Sequence, residues 1–152
     1  MSNIPLTASI TKEAYEQLIA LCLKARPIEA CGILASSTPP DEDSAAAQTT
    51  VDLIIPITNI HINPTYEFSF SPVEWTSAIY ELQKNRQSLV GLFHSHPKAD
   101  ASPSSHDTAG FLPASGLTYW IVSLQNPSSP QVQPYRSLQG AFQSIALEIC
   151  QP

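Results

Sequence analysis

Three short apolar runs constrain this chain more than any other feature: Ala30–Ala35, Leu89–Phe93 and Thr118–Leu124. Each has the length of a strand and reads as one that is buried. Helical patterns precede them. Over residues 11–25, Ala14, Tyr15, Leu18, Leu21, Cys22 and Ala25 recur at three- and four-residue spacing, which gives a helix one apolar face. Thr11 is placed to cap it, Ile10 to staple onto Tyr15 across the first turn, and Pro27 to stop it. Ser71-Pro72-Val73-Glu74 marks a second helix start, with Ser71 at N-cap, Pro72 at N1 and Glu74 closing a capping box. That helix is expected to run to about Arg86, with Val73, Trp75, Ile79 and Leu82 in the core.

The remaining chain fills in around these elements. Val51–Ile57 reads as a strand in which Pro56 marks an end, an edge or a bulge. Tyr66, Phe68 and Phe70 alternate with polar residues and predict another strand. A short helix is expected near Ser104–Phe111, a turn at 126–130, and two weaker strands near Gln131–Arg136 and Ala141–Ile149. Residues 37–49, rich in small, acidic and Pro residues, read as a mobile surface loop. The order αβ-ββ-αβ-αβ-ββ predicts an α/β fold, a central mixed sheet flanked by helices. At 152 residues and 43% hydrophobic content, with no repeat or linker, residues 1–152 are expected to form one domain.

Charge and cysteine content narrow the function. Seven Lys and Arg against 13 Asp and Glu give a net charge of −6, the wrong sign for a nucleic-acid binder. No apolar run approaches the roughly 20 residues of a membrane helix, so no membrane partner is expected. The start MSNIPLTASI has no basic residue before its apolar positions, unlike a signal peptide. Cys22, Cys31 and Cys150 form neither a disulfide framework nor a zinc knuckle. The expectation is a reduced, cytoplasmic protein.

The chemistry concentrates in Gly91–Asp107, GLFHSHPKADASPSSHD. His94 and His96, two apart at a strand end, project from one face and can reach one ion. The alternative is a pair of polar residues near a surface. Asp107 follows His96 by eleven residues. Ser104 and Asp107 have the spacing of a helix cap, and the same turn could present the Asp107 carboxylate to the ion. Two His and one Asp, with water in the fourth place, is the pattern of a catalytic rather than a structural zinc. There is no HExxH, so a base must come from elsewhere. Glu29, at the mouth of the Ala30–Ala35 strand, is a candidate whose pKa desolvation would raise; the alternative is an ordinary loop glutamate. His106 is a lesser candidate ligand. Ser95 is expected to face away from the metal and to act more through its backbone than its hydroxyl. Cys31 reads as a small buried residue rather than a nucleophile, and His61 as a surface residue.

His94-Ser95-His96-Pro97, then Ser104-x-x-Asp107 after six residues, with Glu29 upstream, resembles the JAMM (MPN-plus) zinc metallopeptidases. The flanks PIEACGILAS, YEFSFSPVEW, GLFHSHP and YWIVSL are similar too, and the resemblance covers about residues 8–125. It implies a curved mixed sheet of the cytidine-deaminase-like kind. It implies one Zn²⁺ per chain on His94, His96 and Asp107, Glu29 as general acid/base, and Ser104 as an oxyanion stabiliser. The short stretch from Asp107 to Thr118 is similar to that of the compact prokaryotic members; the acidic loop at 37–49 departs from their usual short turn. The implied activity is peptide or isopeptide hydrolysis after the C-terminal Gly-Gly of a ubiquitin-like or sulfur-carrier β-grasp protein. The strand expected at Tyr66–Phe70 is a candidate edge for pairing with that substrate. The competing classes are a general zinc hydrolase, a deaminase, which the missing H-x-E and PCxxC disfavour, and a non-catalytic interaction module of the same fold.

Overall fold

The computed structural model describes residues 7–39, 49–105, 107, 116–138 and 140–151. Its elements are β1 (Thr7–Thr11), α1 (Lys12–Ala25), β2 (Cys31–Ser36), β3 (Leu53–Ile57), α2 (Pro72–Lys84), β4 (Ser88–His96), β5 (Thr118–Ser123), β6 (Gln131–Leu138), β7 (Ala141–Ser144) and β8 (Ala146–Cys150). Six strands form a sheet in the order β3-β2-β4-β5-β6-β7, and β1 pairs with β8 in a second, two-stranded sheet. Within the larger sheet β4 and β5 run parallel and every other pair is antiparallel. The mixed α/β architecture expected from the element order is therefore present.

The three apolar runs become β2, β4 and β5, adjacent in the middle of the sheet. Central strands covered on both faces carry continuous apolar sequence, which is why these runs do not alternate. On one face Ala14, Leu18 and Cys22 of α1 pack with Leu34, Val90, Phe93, Trp120 and Val122. On the other, Leu82, Trp75, Ala78 and Ile79 of α2 pack with Ile33, Ala35, Ile57, Leu89 and Leu92. Opposite Leu34 and Ala35 stand Gly91 and Leu89, which leaves Val90 as the extra residue of a β-bulge. The bulge resets the alternation. Beyond it Leu92, His94 and His96 share the α2 face, and Phe93 and Ser95 the α1 face.

The helix starts are close to expectation. Thr11 Oγ1 accepts the Ala14 N–H at 3.2 Å, and Ser71 Oγ accepts the Glu74 N–H at 3.3 Å. The capping box at α2 is only half made, however. Glu74 accepts the Thr58 N–H at 2.8 Å, while the Ser71 N–H goes to the Thr58 carbonyl. The helix thus clips onto the segment after β3. Val73, expected in the core, is 79% exposed, because the face that meets the sheet runs through Trp75, Ile79 and Leu82. The helix ends at Lys84, and Arg86 turns the chain with φ 54°.

Other differences have tertiary causes. Tyr66–Phe70 is not a strand; only Phe70 makes a single bridge, to Asn59. Its backbone groups are taken by a turn on Asn63 and by the Asn59 side chain instead of a neighbouring strand. The stretch 141–149 is two strands, split at buried Ile145, whose halves join different sheets. β1 has no counterpart in the sequence reading, since its partner lies at the other end of the chain, with Ile10 opposite Ile149. Pro56 does sit on an edge strand, β3. The helix expected near Ser104–Phe111 and the loop at 37–49 lie largely outside the described residues. Among those residues no helix is long and apolar enough to cross a membrane.

Gly91, beside the bulge, provides a test of how tightly β4 and β5 pair. A Cβ there would stand 2.5 Å from both the carbonyl and the hydroxyl oxygen of Thr118. Gly91→Ala should therefore cost about 1–3 kcal/mol, the usual range for overpacking. The expected result is a lower urea midpoint with an unchanged m-value; a wild-type midpoint would contradict the close pairing.

Candidate metal centre and its base

A parallel pair of strands needs a crossover, and the one joining β4 to β5 leaves directly from His96. The end of β4 therefore delivers two histidines, and the crossover brings Ser104 and Asp107 back over them. His94 Nε2 and His96 Nε2 are 3.2 Å apart. Asp107 lies 2.9 Å from the first through Oδ1 and 3.0 Å from the second through Oδ2. The two histidines are 7% and 5% exposed. Ser104 and Asp107 cap each other reciprocally: the Ser104 N–H donates to Asp107 Oδ2 at 2.8 Å, and the Asp107 N–H to Ser104 Oγ at 3.1 Å. The two readings of that spacing are thus compatible, because the cap is what aims the carboxylate.

Proton accounting shows what the cluster suits. His96 Nδ1 is 2.7 Å from the Asp100 carbonyl, which can only accept, so that nitrogen carries the proton. In neutral His96 the Nε2 lone pair then faces His94 Nε2 and a carboxylate. His96 Nε2 and the Asp107 carboxylate thus meet as two acceptors at one point, an arrangement that suits a cation. Tetrahedral zinc with bonds of about 2.0–2.1 Å places neighbouring donors about 3.3 Å apart, close to the spacings here. These three residues form a group able to hold a metal. Without one, burial presses the His94 pKa down against the pull of Asp107. Burial also opposes charge on His96, but its bonds to Asp107 and Asp100 prevail and raise it. Asp107 is itself desolvated, yet the two imidazoles hold it well below the usual carboxylate range. Phe68 stacks on His94, with ring centres 4.5 Å apart, and fixes its plane.

Glu29 sits between α1 and β2, only 5% exposed, and its Oε1 is buried without a hydrogen-bond partner. Burial pushes its pKa up to about 7; His96 pulls the other way, and Asp107 and Glu67 reinforce the rise. It lines a cleft of about 390 Å³ together with Pro27, Tyr66, His96, Lys98 and Ser104. Such a carboxyl is poised to exchange a proton near neutral pH. The fold thus gathers Glu29, His94, His96, Ser104 and Asp107 from three separate parts of the chain.

Some expectations need correction. The Ser95 hydroxyl is not idle: it accepts the Ala30 N–H at 2.8 Å, while the Ser95 N–H donates to the Ala30 carbonyl at 2.9 Å. Ser95 does face away from the ligands, towards α1, and from there it secures the residue next to Glu29. His61 is not a simple surface residue either. Its Nε2 is 2.6 Å from Glu67, and its Nδ1 accepts the Asn63 N–H. Cys31 is buried as expected; its thiol donates to the Ile57 carbonyl, and burial first, then Glu29 and Glu74, push it up to about 12. His106 lies outside the described residues. Two contributors escaped the sequence reading, Phe68 and Asn59. The aromatic alternation around Phe68 was visible but was assigned to a strand, and nothing in the local pattern marked Asn59.

A mixed sheet with a helix on each face thus ends β4 in a His-x-His pair closed by Asp107, a group able to hold a metal. The model of prokaryotic homologs of the JAB domain matches residues 11–137, and the chain belongs to that family. It is 32% identical over 81 residues to the desampylase of Haloferax volcanii, 53% of this chain and 52% of that protein. It is 34% identical over 62 residues to a "Probable TtuB-protein conjugate cleaving protease" of Thermus thermophilus, 41% of this chain and 42% of the relative. The chain therefore spans about half the length of these curated relatives. A solution structure of a Desulfitobacterium hafniense protein superposes with TM-score 0.81 at 29% identity, over 95% of this chain and 94% of the other. A JAB1/MPN domain protein of Archaeoglobus fulgidus shares the fold with TM-score 0.52 at 17% identity, over 92% and 98% of the two chains.

The buried Glu29 carboxyl has a measurable thermodynamic consequence. In the metal-free chain the folded state keeps its proton up to about pH 7, whereas the unfolded carboxyl loses it near 4.5. The stabilising contribution is therefore present below pH 4.5 and is lost as pH rises through 7. Glu29→Gln removes this dependence. The variant should match wild type in Tm at pH 4.5 and be more stable by about 1–3 kcal/mol at pH 8. Parallel Tm–pH curves for the two proteins would mean that Glu29 is not desolvated.

Proposed function

We propose that this chain is a zinc-dependent peptidase or isopeptidase that cleaves after the C-terminal Gly-Gly of a ubiquitin-like or sulfur-carrier protein. The observation that carries the reading is a buried His94–His96–Asp107 group able to hold a metal, sharing a cleft with a buried carboxyl, Glu29, whose Oε1 is unpartnered. The names of the two curated relatives, a desampylase and a conjugate-cleaving protease, support a conjugate of a small modifier protein as substrate.

In this reading His94, His96 and Asp107 hold one Zn²⁺, which when bound supplies Lewis acidity towards water and a carbonyl oxygen. Glu29 takes a proton from the attacking water and returns it to the departing amine, the work of a group with a pKa near neutrality. Ser104 stands on the cleft wall and is assigned the stabilisation of the oxyanion. Phe68 and the Asp100 carbonyl fix the two imidazoles, so little reorganisation is needed. Exposed Ile28, Ile60, Ile62 and Tyr66 supply apolar surface for an extended tail and a folded carrier. Tyr66–Phe70 is not a strand and does not serve as a pairing edge for that tail.

The metal assignment is checked by metal analysis. Wild type should hold one zinc per chain, and His96→Ala should lose it together with activity. A full equivalent of tightly bound zinc in His96→Ala would refute the ligand set.

The reaction is checked by mass spectrometry, with carriers extended beyond Gly-Gly by a peptide or through a lysine isopeptide bond. Release of the extension with Gly-Gly exposed, blocked by chelation, is expected. Glu29→Gln should keep zinc and fold yet lose about 10²–10⁴ in turnover. Ser104→Ala should lose about 10²–10³. Equal cutting of an unstructured peptide without Gly-Gly would reject the substrate in favour of a general peptidase.

A further inference from the structure

Residues 59–70 make no strand, yet their course is closely specified, and one side chain does most of the specifying. Asn59 Nδ2 donates to three carbonyls, those of Glu29 at 3.0 Å, Pro64 at 3.3 Å and Glu67 at 3.0 Å. Its Oδ1 accepts the His61 N–H at 3.0 Å and the Ser69 N–H at 3.1 Å. A primary amide has two N–H donors and one carbonyl acceptor, so this one is fully used. Four of its five partners lie in the loop; the fifth is the peptide carbonyl of Glu29.

The loop in turn reaches the site twice. Pro64 accepts the Glu29 N–H at 2.8 Å, so the Glu29 residue is gripped at both its N–H and its carbonyl. Thr65 and Tyr66 form the wall of the cleft beside Glu29, and Phe68 stacks on His94. The loop is thus part of what keeps the carboxyl away from water. A second brace, His61 with Glu67, acts within the loop.

We propose that Asn59 is a positioning residue for the Glu29 base: its amide ties the Glu29 peptide to the 61–69 loop, so that base and cleft wall hold one geometry. This rests on Glu29 being the base, as proposed above. Asn59 neither lines the cleft nor belongs to the His94–His96–Asp107 group. It acts through the backbone of Glu29, and the consequence should appear in turnover more than in metal binding. A misplacement of a reacting group by about 1 Å can cost about 10²-fold in rate.

The test uses the zinc-loaded full chain with two readouts. The first is amide hydrogen exchange by NMR. In Asn59→Ala, protection of the Glu29 N–H should fall at least about tenfold, while amides in the centre of β4 and β5 stay protected. The second is kinetic. Asn59→Ala should keep one zinc per chain and lose about 10–100-fold in kcat, with a smaller change in KM. In a Glu29→Gln background the same substitution should lower the residual rate less than about twofold, because the group it acts through is already gone. Should Asn59→Ala not fold, Asn59→Asp keeps both acceptor bonds and the side-chain size but offers no N–H to the Glu29 carbonyl. It should show the same loss of protection and of kcat. Wild-type protection of the Glu29 amide in a folded variant would overturn the tether. Lost protection with a full, multiplicative rate loss in Glu29→Gln would overturn action through the base. A zinc-loaded wild type that cleaves no conjugate would instead refute the proposed function, and the exchange measurement would still decide the tether.

Discussion

Glu29 and the histidines reach one cleft because the start of β2 and the end of β4 are locked together residue by residue. Ala30 and Ser95 exchange two hydrogen bonds, one through the Ser95 hydroxyl, and Cys31 stands opposite His94. Glu29 precedes the first of these pairs, and His94 and His96 flank Ser95 on the opposite face. A one-residue slip of this register would turn His94 and His96 towards α1 and leave the cleft without its imidazoles. The bulge at Val90 has the same importance from the other direction. It lets an apolar strand pack against both helices and still finish with both imidazoles on the face that Phe68 and Asp107 approach.

The site these contacts create is poorly satisfied in itself. His96 Nε2 and the Asp107 carboxylate meet as acceptors, and the buried Glu29 Oε1 has no partner. Buried groups of this kind cost free energy, and exceptions to pairing concentrate where chemistry is done. The cost is borne by the two-sided core around β2, β4 and β5, whose largest side chains, Trp120 and Phe93, are almost wholly buried. Even there polar groups are matched: the Trp120 Nε1–H donates to Thr118 Oγ1, which donates to the Val90 carbonyl at the bulge. Matched polar groups in the core and an unpartnered carboxyl oxygen at the cleft are two sides of one arrangement.

Much of this was legible in one dimension. The helix over 12–25, its Thr11 cap, the buried strands and the edge position of Pro56 follow from periodicity, cap chemistry and the missing proline N–H. His94, His96, Ser104 and Asp107 stood out through spacing, since His-x-His on a strand and Ser-x-x-Asp at a turn are local patterns, while Glu29 stood out only by its place at the mouth of a strand and by resemblance. What failed was whatever needed a partner from afar. Glu74 answers Thr58 rather than Ser71. Val73 faces solvent because the direction of the helix on the sheet is not written in its own period. Phe68 and Phe70 alternate as a strand would, yet Asn59 takes the backbone bonds that a neighbouring strand would have offered.

The sequence by itself determined the class of fold, the strand that carries the two histidines and the chemical types that gather at its end. Those depend on hydrophobic period and on residues a few positions apart, which the chain specifies locally. Only the tertiary structure decided that Glu29 is buried and shares a cleft with His96, that Ser95 works through its hydroxyl, that β1 pairs with β8, and that the Asn59 amide bonds the 61–69 loop to the Glu29 carbonyl. Each of these is a contact between segments remote in sequence, whose energy exists only after the sheet has brought them together. A glutamate's pKa near 7 is the clearest case: the side chain is ordinary, and the desolvation that moves it belongs to the fold.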